Sequence, residues 1–239
     1  MEALAGRARV AVLALASLAL AACGLVPART TIHYRLTVEV ETPEGLRSGS
    51  SVIEVRISET GEDYWANPEA RGQSAKLRGE AVAVELPDGR VLFALLRSED
   101  MVDAAAWWPF RIAANPCITG EYSAIRNAEE MQRSGASGEL PWGSYPMLVT
   151  FGDLADPTSV ELVDPDDLAA TFGEGVRLKR VTVEFTDDLV TNEIEKTLPW
   201  IGAFRGRHFD GSESNFKDFT KPSLASRFSS GTFSTEFAR

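Results

Sequence analysis

The chain holds two histidines among 239 residues, so imidazole chemistry has little material to work with. His208, in Arg205-Gly206-Arg207-His208-Phe209-Asp210, is the stronger candidate for a general base or an anion binder. Ordinary turn chemistry in a loop is the competing reading of that segment. His33 falls on the polar side of an alternating run and reads as a solvated surface residue. A Ser-His-Asp centre or a histidine-rich metal site therefore lacks components. Ser137, in Gly135-Ala136-Ser137-Gly138, misses nucleophile-elbow spacing by one residue and follows a helical pattern instead of a strand. Ser48-Gly49-Ser50-Ser51 reads as a loop before a strand. No residue is assigned a catalytic role.

Carboxylates cluster at Asp153 and Asp156, at Asp164 to Asp167, and at Asp187-Asp188. Calcium takes six to eight oxygen ligands, which loop aspartates supply. Three of these acids are accounted for by helix capping, however, and Asp156-Pro157 reads as a turn. Asp210-Gly211-Ser212 begins like a calcium loop, but Lys221 stands where the closing glutamate would fall. No metal site and no cofactor is expected. Two acids of a glycosidase must face each other across one cleft, which spacing along a chain does not reveal.

Five tryptophans raise glycan stacking as a possibility. Trp107-Trp108 and Trp200 sit where burial against a sheet is ordinary. Trp65 and Trp142 lie in polar loops beside Tyr64 and Tyr145. With His208 they make up the candidate ligand-binding set, core packing being the alternative. Of the two cysteines, Cys117 in Asn115-Pro116-Cys117-Ile118 reads as a buried inert thiol, against the alternatives of a nucleophile or an intermolecular bridge.

The elements that must position these residues follow from periodicity. Ile32, Tyr34, Leu36, Val38 and Val40 alternate with polar residues, and Ile53, Val55 and Ile57 resume the alternation. This predicts an antiparallel hairpin with a connection around Arg47 to Ser50. Gly61 to Arg78 reads as a long surface loop. Glu80 to Leu86 and Val91 to Leu96 flank Pro87-Asp88-Gly89-Arg90, a tight hairpin whose second strand is apolar on both faces. A helix is expected from Ser98 to about Trp108, and a second from Glu121 to Arg133 with Tyr122, Ile125 and Met131 on one face. Ser134 to Gly138 is then a flexible loop.

Met147 to Phe151 and Ser159 to Val163 read as strands. Asp164 is expected to cap a short helix with Pro165 in its first turn and Gly173 at its end. Val181, Val183 and Phe185 form a strand out of phase with Val176 and Leu178, so a bulge is expected between Leu178 and Val181. Asn192-Glu193-Ile194-Glu195 has capping-box spacing and opens a helix that stops before Pro199. The stretch from Gly202, carrying Phe216, Phe219, Phe228, Phe233 and Phe237, is expected to be a partly ordered tail that wraps the domain or pairs at a sheet edge. Strands and helices that do not alternate strictly imply an α+β fold: mainly antiparallel hairpins with three or four short helices over 32–201.

The formal net charge of −11 opposes binding to phosphate backbones, so nucleic acid is excluded as a partner. At the N-terminus, Arg7 and Arg9 precede an apolar run from Val10 to Ala22, too short to span a bilayer. The run ends in Leu20-Ala21-Ala22-Cys23, which resembles the lipobox of bacterial lipoprotein precursors. The resemblance implies cleavage before Cys23, diacylglycerol on its sulfur and an acylated (palmitate-type) new N-terminus. One acyl chain anchors only marginally, which is the physical reason for more than one. Gly24 in place of an aspartate implies the outer membrane, periplasmic face. Residues 1–22 are then the signal peptide and 23–31 a lipid-anchored tether. The body resembles Gram-negative envelope lipoproteins, a likeness that implies no activity and no site. The expected role is a non-catalytic binding or structural one in the periplasm, with an envelope protein as the possible partner. The alternative is an envelope hydrolase or glycan-binding module.

Overall fold

The computed structural model describes residues 28–60, 72–115, 123–213 and 223–238. Cys23, Trp65, Cys117, Tyr122, Phe216 and Phe219 lie outside them.

The strict alternation beginning at Ile32 produces a 15-residue strand, β1 (Ala28–Thr42), with its even positions from Ile32 onward fully buried. Its start at Ala28 places the last part of the expected tether inside the sheet. β2 (Gly45–Thr60) pairs with it in unbroken register from Ala28↔Glu59 to Thr42↔Gly45. The connection is thus the tight turn at Pro43-Glu44, and Ser48 to Ser51 are strand residues instead of loop. Their glycine and serine content argues against a strand locally, but a long amphipathic partner in register overrides that preference. β3 (Gly72–Arg78) adds to the far half of β2, so the expected loop over Gly61 to Arg78 ends in a strand.

β9 (Arg177–Phe185) flanks β1 on its other side. The register slips between Glu39↔Arg180 and Val40↔Leu178, which puts the expected bulge at Lys179. β6 (Ser137–Glu139) closes this first sheet, in the order β3-β2-β1-β9-β6. Ser137 therefore sits in an edge strand and not in a flexible loop.

The second sheet is antiparallel, in the order β4-β5-β7-β8: β4 (Val82–Glu85), β5 (Val91–Ala94), β7 (Leu148–Phe151) and β8 (Val160–Val163). The Pro87 hairpin forms as expected, and Leu92, Ala94 and Leu96 face one core while Val91, Phe93 and Leu95 face another. The first core lies between the sheets and extends under α1 (Ala124–Ser134), capped by Ser123 and ended by left-handed Gly135. Ser98 begins no α-helix. Its hydroxyl accepts the Met101 N–H, and two short 3₁₀ turns, Ala104–Ala106 and Trp108–Phe110, follow, with Pro109 in the first turn of the second, where it gives up no helical hydrogen bond.

α2 (Leu168–Phe172) is capped by Asp167, whose side chain accepts the Ala170 N–H. Asp164 instead accepts from Asp166 N–H within the preceding turn. α3 (Ile194–Thr197) stops before Pro199, but it has no capping box of its own. The second core joins the outer face of the second sheet to α3 and to the chain's last segment. That segment carries α4 (Ser230–Phe233) and buries Phe209, Phe228, Phe233 and Phe237. Backbone bonds tie it to the strand leading into β4: Ala81 N–H donates to Phe233 O, and Thr235 N–H to Gly79 O. The aromatic tail therefore forms a third layer of an α+β fold.

Candidate functional site

A cleft of about 530 Å³ lies where the two sheets cross. Gly49 on β2 meets the Ala83 carbonyl on β4 so closely that a Cβ there would stand 2.0 Å from the oxygen. From this crossing the strands diverge. Leu46, Ser48 and Ser50 line one wall, Ala81, Ala83 and Glu85 the other, and Thr191 to Thr197 close one end.

Glu80 forms the floor. It is buried, and its two carboxylate oxygens accept the N–H groups of Glu193 at 2.7 Å and Ile194 at 3.0 Å. This carboxylate, far away in sequence, replaces the expected capping box at Asn192: it satisfies the first donors of α3 and meets the positive end of the helix. Burial raises its pKa above the usual glutamate value, with Glu193 and Glu236 adding to the rise and the two N–H donors opposing it. Lys196 is paired with Glu193 at 2.6 Å and Arg47 with Glu44 at 3.5 Å. Glu85, exposed on the rim, has no ion pair among the described residues.

A strap over residues 186–191 crosses the outer face of the first sheet to reach this cleft. Asp188 binds Arg35, and its carbonyl lies 2.9 Å from His33 Nδ1. His33 Nε2 is 3.3 Å from Glu54. His33 is thus half-buried and holds the strap, where a solvated residue was expected. The strap ends at Thr191, whose N–H donates to Val52 O while its hydroxyl accepts from Val52 N–H.

Of the candidate ligand residues, Trp65 lies outside the described residues, and His208 and Trp142 are not brought together. His208 is buried, its Nδ1 3.3 Å from Phe228 O, and its backbone bridges Ser229, so it joins two parts of the aromatic last segment to each other instead of facing solvent as a base. Trp142 is 72% exposed beside a second cleft of about 340 Å³ that Tyr145, Asp100, Asp164 and Asp166 also line. Its Nε1–H donates to Asp166 Oδ1 at 3.0 Å. Burial, with Glu139 and Asp166 nearby, raises the Tyr145 pKa. Trp200 is half-buried against the second core, donating to Leu154 O and packing on Phe151 and Phe209. Among the described residues no group of three or more His, Cys, Asp or Glu side chains is placed to hold a metal ion, and no helix is long and apolar enough to cross a membrane.

Periodicity passed over the cleft because its walls are backbone edges and its acids, Glu80, Glu85 and Glu193, come from separate stretches of the chain. The one local trace was Gly49, a glycine inside a strand, which marks close approach of another backbone. No family model, curated protein or solved structure matches the chain.

Proposed function

We propose that the protein is a lipid-anchored envelope protein of the periplasmic face of the outer membrane with a non-catalytic binding role. Its anchor is supported by Leu20-Ala21-Ala22-Cys23, the lipobox-like sequence upstream of the fold. Only Gly24 to Pro27 separate Cys23 from the first residue of β1, so the body is held within about 15–18 Å of the anchored sulfur at full extension. The observation that carries the binding role is the cleft at the sheet crossing. Strand edges and backbone polar groups form its walls, the surface by which proteins take up other chains. Replacing Cys23 with Ala is expected to abolish incorporation of labelled fatty acid and release the protein from the membrane fraction. Persistent labelling overturns the anchor assignment. Cross-linked recovery from the native envelope is expected to return a stoichiometric protein partner.

A second reading, a glycan-binding module, is favoured by exposed Trp142 beside Tyr145 and the Asp100–Asp164–Asp166 carboxylates. Titration with envelope glycan fragments tests it: a change in tryptophan fluorescence that Trp142→Ala removes supports it, and an unchanged spectrum sinks it.

A further inference from the structure

The outer edge of β2 is occupied along most of its length, but not at the cleft. β3 pairs with Glu54 to Thr60, and Thr191 takes both backbone groups of Val52. Backbone polar groups of an antiparallel strand alternate between its two neighbours. Since Val52 points away from β1 and the β1–β2 register is unbroken, Leu46, Ser48 and Ser50 point the same way. Among the described residues no backbone partner for these three meets them across the cleft. The edge that accepts β3 and Thr191 thus continues as three residues of unfilled pairing beside an open cleft.

The charges around the edge are unequal. Arg47 and Lys196 are each paired with a neighbouring glutamate, whereas Glu85 on the opposite wall has no ion pair among the described residues. A segment lying between the walls meets a surplus of negative charge. We propose that this edge takes up an extended, lysine- or arginine-bearing segment of a partner protein as an added strand beside Leu46–Ser50, with its basic side chain toward Glu85. Backbone pairing supplies the affinity and the carboxylate the selectivity. The placement also deepens the anchored reading and rests on it in one respect. β1 has 15 residues and spans roughly 46 Å at about 3.3 Å per residue, so the hairpin end bearing the cleft lies far from Ala28, where the lipid tether enters. A partner need not approach the bilayer to reach it.

Hydrogen exchange on the full-length chain in detergent micelles tests this, with a model peptide of about ten residues alternating threonine and valine and carrying lysine. Slowed exchange confined to Leu46–Ser50 is expected. It is lost when the peptide backbone is N-methylated or when Ser48→Pro removes the edge donor. Glu85→Lys, on an exposed side chain, is expected to weaken uptake about tenfold and to favour a glutamate-bearing peptide instead. Absence of protection at millimolar peptide overturns the proposal. So does protection without peptide that grows with protein concentration, which would place a second copy on the edge, and so does equal protection by the lysine and glutamate peptides. The readout does not depend on acylation, so failure of the Cys23 assignment is seen separately in the labelling experiment.

Discussion

Glu80 and Ile194 lie 114 positions apart, yet the carboxylate of one accepts the N–H that opens the helix of the other. The same short stretch, Gly79 to Ala81, carries the backbone bonds to Phe233 and Thr235. One buried acid therefore sits where the cleft, α3 and the aromatic layer meet.

Replacing Glu80 with Ala strands two backbone donors and is expected to cost about 1–3 kcal/mol, read as a lowered denaturation midpoint. The pH dependence has a definite sign. The folded pKa lies above the unfolded one, chiefly through burial, so the fold binds the proton more tightly and loses stability as pH rises through that interval. Glu80→Gln cannot ionise. Its destabilisation relative to the parent is expected to shrink as pH rises above the unfolded value; a gap that widens would contradict the burial.

Gly49 is required by the crossing itself. In Gly49→Ala the new Cβ meets the backbone oxygen of Ala83, which no side-chain rotation relieves. About 1–3 kcal/mol of destabilisation is expected, as for other overpacked sites. Ser50→Ala, one residue away and exposed, is expected to leave the melting temperature nearly unchanged.

Tyr34 is fully buried in β1 and its hydroxyl donates to Ala105 O at 2.6 Å, tying the first sheet to the 3₁₀ turns. Tyr34→Phe leaves that carbonyl without its donor at an expected cost of about 1–3 kcal/mol. Burial raises the Tyr34 pKa well above its ordinary value, so its tyrosinate absorbance is expected to emerge only together with alkaline unfolding. Ionisation of every tyrosine before unfolding would refute this placement.

Phe233 packs edge-on against Phe93 and tilted against Phe151 and Phe209. Phe233→Ala is expected to cost about 3–5 kcal/mol and to expose Gly79 to Ala81 to hydrogen exchange before the rest of the protein. Uniform loss of protection would mean that the last segment is not a separable layer.

The parts of this molecule legible in the amino-acid sequence are those set by local periodicity and by linear motifs. Alternation from Ile32 to Val40 marks a half-buried strand, because facing in or out repeats every second residue whatever the partner is. The phase break between Leu178 and Val181 marks a bulge for the same reason, and Pro87-Asp88-Gly89 marks a turn through its backbone angles. What the tertiary structure decided are the relationships between distant residues. Ser48 to Ser51 become strand because a fifteen-residue partner lies beside them, and α3 is capped by Glu80 in place of Asn192 because folding brings a buried carboxylate to its first turn. His208 is buried because Phe228 and Ser229 close over it. The cleft belongs to this second class: two strand edges make it only where the sheets cross, and Gly49, whose missing side chain permits the crossing, is its single mark in the sequence.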